Sequence, residues 1–259
     1  MQLKNLTRHL VAGSLLAAAG WTACAQADIV ANAGLGTTYE SNVNGAPTST
    51  GLGSDSYTTL NASAQYFTPL DAGKSTYFIG QLGALASKYN TFTNLDNTEA
   101  IASVGIFKQF DSSWSGELSG RGFDLHVQQN GLDARGEGTT LLVKNQLTSD
   151  LWLQGVADYE DSRADLSSYG YAGTTLGMNL GYLPWQNTFV NTGYNHIYRN
   201  FDTAVGFTTT TQAYFVNVVQ QLTKNWFLSG TYTYQDNTSN IAGTAYKDQI
   251  LSLAINFSY

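Results

Sequence analysis

Cysteine, proline, histidine and positive charge are all scarce in this sequence. Its 259 residues include one cysteine, three prolines, three histidines, and 12 basic residues against 19 acidic ones. The cysteine, Cys24, falls in an N-terminal segment with the features of an export signal, so the chain beyond it can form no internal disulfide and no thiolate metal site. His126 and His196 are the histidines past that segment, and two dispersed imidazoles are no zinc signature. A formal charge of −7 has the wrong sign for a nucleic-acid binder, whose affinity comes largely from Lys and Arg set against phosphates. Past residue 27, no apolar run approaches the roughly 20 residues of a transmembrane helix. Nothing here requires a metal, a cofactor or a nucleic acid. What is abundant is Tyr at 16, Gly at 26 and Thr-rich runs, a composition that favours strands over helices.

The first 27 residues read as a signal peptide. Lys4 and Arg8 make a basic start, Leu10 to Ala23 is mostly apolar and small, and Ala25-Gln26-Ala27 puts small residues at −3 and −1 of a cleavage site. An apolar run of about 14 residues is too short to stay as a membrane span. A cut before Cys24 would instead leave a lipidated N-terminus, but Trp21 fits its −3 position poorly. Cleavage after Ala27 leaves residues 28–259 with ten basic and 19 acidic side chains, a net charge of −9.

The C-terminus is the clearest structural segment. Leu251, Leu253, Ile255, Phe257 and Tyr259 fall on one face, while Ser252, Ala254, Asn256 and Ser258 fall on the other. A period of two is strand geometry with a single apolar face, which either meets a second sheet in a soluble sandwich or meets lipid in a membrane barrel. Similar segments recur at 29–41, 57–68, 76–89, 99–110, 114–127, 138–147, 151–160, 171–183, 187–200, 208–222, 225–235 and 247–259. Each is long enough for a bilayer-crossing strand of roughly 9 to 11 residues. Within 99–110 Lys108 falls on the apolar face, tolerable near the strand end because its long stem can snorkel. Within 114–127 the apolar phase changes, and a bulge at Gly122 would turn Asp124 and His126 inward.

This tail resembles the closing strand of porin-like outer-membrane β-barrel proteins of Gram-negative bacteria, without pointing to one family. The resemblance implies that Tyr259, Phe257, Ile255, Leu253 and Leu251 are the signal read by the outer-membrane barrel assembly machinery. It also implies the cell outer membrane as the location and outer-membrane lipids as partners.

The connections support a meander. Compact breaks at 69–73, 111–113, 148–150, 184–186 and 223–225 alternate with mostly longer, polar ones at 42–56, 90–97, 128–136, 161–170, 202–206 and 236–246. Short turns on one rim and long loops on the other are the two sides of an outer-membrane barrel. Tyr39, Tyr89, Phe123, Tyr159, Tyr198 and Tyr234 each precede a polar residue at the end of an odd-numbered strand, separated by 50, 34, 36, 39 and 36 residues. With Trp226 they are the expected aromatic girdle. The expected fold is therefore all-β, an antiparallel up-and-down transmembrane β-barrel of about twelve strands over residues 28–259.

Projecting the strand phases inward gives Glu40, Glu117, Arg121, Asp124, Lys144, Asp158, Glu160 and Arg199 as lumen and selectivity candidates. Charges of both signs across a wet bore can bias ion passage, or they can pair and stabilise the wall. The leading expectation is a channel for passive diffusion of small polar solutes or ions, with the number of subunits left open. Phe67, Tyr77, Phe107, Trp152 and Phe227 are bulky enough to fill the lumen, and a filled barrel would be a structural or surface-interaction protein. A phospholipase or protease is the third reading. No catalytic residue is assigned, because Asn195 and His196 point to opposite faces and Asp124 and His126 have no positioned nucleophile.

Overall fold

The computed structural model describes residues 28–47, 51–203 and 205–259, so the expected signal peptide lies outside the described residues. Twelve strands follow one another: β1 (Asp28–Glu40), β2 (Asp55–Pro69), β3 (Thr76–Tyr89), β4 (Asn97–Gln109), β5 (Trp114–Val127), β6 (Ala134–Gln146), β7 (Leu151–Ala164), β8 (Tyr171–Trp185), β9 (Thr188–Phe201), β10 (Thr208–Gln221), β11 (Trp226–Ser239) and β12 (Tyr246–Ser258). Every strand pairs antiparallel with its sequence neighbours, and β1 pairs with β12 to close a barrel. At that seam Leu35, Thr37 and Tyr39 stand opposite Ile255, Leu253 and Leu251. Short turns join the strands at the rim that carries Asp28 and Tyr259, and the longer loops occupy the opposite rim.

Alternation decides which side chains face out. Leu251, Leu253 and Ile255 of β12 stay 50%, 53% and 41% exposed, and Leu176, Met178 and Leu180 of β8, Val216 and Val218 of β10, and Leu228 and Tyr232 of β11 join them on the outer wall. No second sheet covers them among the described residues, which removes the sandwich reading. So much outward apolar surface is stable only against hydrocarbon. Closure satisfies the other demand of lipid, since every strand edge finds a partner. The chain is a closed antiparallel twelve-stranded β-barrel with the apolar outer wall of a membrane-spanning barrel.

The structure departs from the sequence reading at three places. First, β5 keeps an unbroken register with both neighbours, so there is no bulge at Gly122. Asp124 and His126 therefore point outward, and Phe123, Leu125 and Val127 point inward. The apolar phase changes because the upper end of β5 packs on Leu132, Phe201 and Phe207 inside the mouth rather than on lipid. Second, neither Tyr89 nor Phe123 belongs to an outer girdle: Tyr89 is buried within a cluster with Val43 and Leu95, and Phe123 packs inward on the cluster at the mouth. Third, the register irregularity of the barrel lies in the β8–β9 pair between Tyr182 and Trp185, spanning Pro184, which has no N–H for the ladder. Lys108 does face outward, but its Nζ reaches the rim turn, 2.9 Å from Ser75 Oγ and 2.8 Å from Thr76 Oγ1.

The depth of these positions has a measurable consequence. Leu253→Arg, placed well inside the apolar band, will destabilise the folded barrel in lipid vesicles by about 2–4 kcal/mol, whereas Thr58→Arg, near the long-loop rim, will cost about 0–1 kcal/mol. Reversible denaturant unfolding followed by tryptophan fluorescence reads both values.

Candidate functional site

The lumen gathers the charged side chains. Glu40, Glu117, Arg121, Lys144, Asp158, Glu160 and Arg199 all occupy inward positions of their strands, and of the eight lumen candidates only Asp124 faces out. Their centre is Arg121 of β5. Its guanidinium lies across β6 to reach two carboxylates of β7: Nη1 donates to Asp158 Oδ1 at 2.5 Å and Nη2 to Glu160 Oε2 at 2.6 Å. Thr140 of β6, between them, donates to Asp158 Oδ1 at 2.6 Å and accepts from Arg121 Nη1 at 2.9 Å. Gly138 makes this possible, because a Cβ there would sit 2.7 Å from Arg121 Cζ.

The network continues around the wall. The Tyr171 hydroxyl of β8 donates to Glu160 Oε1, and the Arg199 guanidinium of β9 lies 4.8 Å from the centroid of the Tyr171 ring. Charged and aromatic groups thus run along the inner wall from β5 to β9. The facing arc, from β10 through β12 to β1, carries neutral pairs, in which Asn217 Nδ2 donates to Thr231 Oγ1 at 2.8 Å, Thr211 bonds Asn237, and Thr38 bonds Ser252 at 2.9 Å, and the acids Glu40 and Asp248 towards the long-loop rim. Nearer the short-turn rim, Lys144 Nζ sits 4.4 Å from the Trp152 ring, which stacks on Phe189 at 5.2 Å. Tyr77 and Phe107 form a second aromatic pair at 6.3 Å on the same inner surface.

Three inward carboxylates, Glu99, Asp248 and Asp55, escaped the sequence reading, although the signal was present. Extending the C-terminal alternation back past Ser252 puts Asp248 on the inner face, and the phase of Ser103 and Ile101 carries Glu99 there too. Asp248 Oδ1 accepts from Asn42 N–H at 2.9 Å and from Ser41 Oγ at 3.0 Å, tying the first long loop to the wall. Asp55 does the same for the second loop, accepting from the N–H of Phe92 at 2.8 Å and of Thr91 at 3.0 Å. The loops lean over the mouth on two apolar clusters, one around Leu125, Tyr171, Phe201 and Phe207, the other around Val43, Tyr89 and Leu95.

The outward positions form their own set. Tyr39, Tyr159, Tyr198 and Tyr234 lie on the outer phase towards the long-loop rim, and Trp226 lies on that phase at the short-turn rim. His126, displaced outward, is 3.2 Å from Asp133 and 3.5 Å from Asp124 on the exposed rim. Asp133 also accepts the Val127 N–H at 2.7 Å, and these two donors hold its carboxyl below the usual aspartate range. Among the described residues, no group of three or more His, Cys, Asp or Glu side chains is arranged to hold a metal ion.

No protein-family model and no curated protein sequence matches this chain. Solved structures do resemble it at low identity. One is a KdgM porin in complex with disordered oligogalacturonate, 12% identical over 87% of this chain and 99% of that one, with a TM-score of 0.48. Another is the translocator domain of the autotransporter NalP from Neisseria meningitidis, 11% identical over 96% and 94% of the two chains, at 0.49. An anion-selective porin from Comamonas acidovorans is 8% identical over 90% of this chain and 99% of its own, at 0.46.

Two outcomes follow from this geometry. Arg121→Ala leaves Asp158 and Glu160 facing each other without their shared cation, and will cost about 3 kcal/mol of unfolding free energy in vesicles. Adding Asp158→Ala to that variant will recover part of the loss. For Asp133 the folded pKa is depressed, so its anchoring contribution is present above the unfolded value of 3.8 and is lost as pH falls through the folded value. A carbon-13 titration of its carboxyl will give a midpoint below 3.8 that moves up towards the unfolded value in His126→Ala.

Proposed function

We propose that this protein is a channel through which small polar solutes or ions diffuse passively across the outer membrane. The observation that carries the reading is the contrast between the two surfaces of one wall: outside it is apolar, and inside hydroxyl, carboxamide and charged groups occupy the middle of the barrel, with aromatic side chains towards the rims. A solute on the axis exchanges bulk water for Asn61, Ser63, Asn217, Thr231, Ser252 and Asn256, and passes the charged arc of β5 to β9. Inward acids Glu40, Glu99, Glu117, Asp158, Glu160 and Asp248 outnumber the bases Arg121, Lys144 and Arg199. The lining therefore favours cations.

The remaining roles fit the same reading. Tyr39, Tyr159, Tyr198 and Tyr234 anchor the barrel in the outer headgroup layer and Trp226 in the inner one. The assembly machinery reads Leu251, Leu253, Ile255, Phe257 and Tyr259 before the seam with β1 closes. A second reading has its own support: Phe67, Tyr77, Phe107, Trp152 and Phe227 all lie on the inner phase, and side chains of that size favour a barrel filled by its own wall.

Planar-bilayer recording separates the two. Folded protein will give discrete conductance steps with a reversal potential on the cation side, and Asp158→Ala or Arg199→Ala will change the step size. Silence from protein that is demonstrably folded would overturn the channel and leave the filled barrel.

A further inference from the structure

We propose that the outer wall over β2 to β7 holds one phosphorylated, acylated lipid of the outer leaflet, its chains in a groove in the wall and its phosphate on Arg135 and Arg163. The proposal is independent of conductance, because Arg135, Arg163 and the glycines of the groove floor lie on the outward phase of their strands.

The first observation is the groove. A cavity of about 930 Å³ opens on the outer wall, its floor made by Ala64, Gly80, Ala102, Gly120 and Gly122. Taller neighbours, including Leu82, Val104 and Tyr159, border it. Packing does not demand glycine on that floor. A Cβ at Gly80, Gly120 or Gly122 would meet its nearest neighbour at 3.6, 3.9 or 3.8 Å, ordinary van der Waals contact. On the inner wall the opposite holds, since Gly138 lies directly under Arg121. The low floor thus leaves a recess that larger side chains could have filled, at the depth where acyl chains lie.

The second observation is the charge at its upper end. Two steps above Thr139 and Tyr159, Arg135 of β6 and Arg163 of β7 stand directly opposite each other, both facing out. Like charges in facing strand positions repel, and here one carboxylate per arginine offsets the pair in part. Each arginine spends its Nε on one carboxylate, Arg135 on Asp124 at 3.0 Å and Arg163 on Asp161 at 3.2 Å. Their side chains remain 78% and 77% exposed. The exposed guanidinium of each keeps its Nη donors for a phosphate, which guanidinium forks bind bidentately. Between the arginines and the groove, Glu137 and Asp161 form the next facing pair, suited to accept N–H or O–H donors from the region that links phosphate to chains. His126, Asp133 and Asp165 are further ionisable groups beside this rim, Asp165 N–H donating to the Asp133 carbonyl at 2.9 Å. A lipid satisfies the arginine pair and the recess together; free phosphate satisfies only the first and a second copy of the barrel only the second.

Native mass spectrometry of the mature protein, folded in detergent, tests this with diphosphoryl lipid A, its dephosphorylated form and inorganic phosphate as probes. The wild type will retain one diphosphoryl lipid A at least tenfold more strongly than the dephosphorylated form, and inorganic phosphate alone will not be retained. R135Q/R163Q will lose that preference, and Gly122→Leu, which fills the floor without removing a charge, will weaken retention of both lipids. Heat-modifiable migration on a cold gel verifies that each variant is folded. Equal retention of the two lipids by the wild type, unchanged retention in both variants, or dimers without lipid that Gly122→Leu disrupts would each overturn the proposal.

Discussion

Hydrocarbon provides no hydrogen-bonding partner, and most of this architecture answers to that fact. A peptide group left unpaired in the bilayer costs several kcal/mol, so a sheet that crosses it must have no edge. The pairing of β1 with β12 meets that requirement, and it explains why the alternation of the chain runs to its last strand. Once the edges are closed, the two faces of each strand meet different solvents. Leu253 and Ser252 are neighbours in sequence, yet one belongs to lipid and the other to the lumen.

Glycine serves both walls in different ways. Inside, it lets long side chains lie flat: Arg121 crosses Gly138, Trp152 lies over Gly181, and the Asn179 side chain reaches a point 2.6 Å from where a Cβ of Gly193 would be. These contacts make the inner wall a layer of side chains pressed against the barrel, with the ion-paired cluster around Arg121 on one arc and hydroxyl and carboxamide pairs at the middle of the other. Outside, Gly120 and Gly122 are not under such pressure, and the recess they leave adjoins an arginine pair that a neutral lipid would not satisfy. The pleat divides the wall, with the lumen on one side and lipid on the other.

Much of this was legible in the residues because period two is a strong signal when it repeats. The strand count, the alternation of short and long connections, and the inward set around Arg121, Asp158 and Glu160 all follow from phase alone. Errors arose where an apolar residue faces neither lipid nor a conventional core. Phe123, Leu125 and Tyr89 are apolar and inward because the long loops bend over the mouth and give them partners such as Leu132, Phe207 and Val43. Local pattern carries no record of a loop that returns to the barrel, so β5 looked bulged and Tyr89 looked like a girdle residue. Partnership across strands was also hidden: nothing in one strand's sequence says that Arg135 faces Arg163.

Site-directed spin labelling tests the central claim most directly, helped by the absence of cysteine after Cys24. Labels placed one at a time from position 250 to 257 in vesicle-embedded protein would be probed with oxygen, which concentrates in lipid, and with a water-soluble nickel complex. The account predicts strict alternation, with 251, 253 and 255 favouring oxygen and 250, 252, 254 and 256 favouring nickel. Uniform accessibility along the strand, or shielding of 251, 253 and 255 from both reagents, would contradict it.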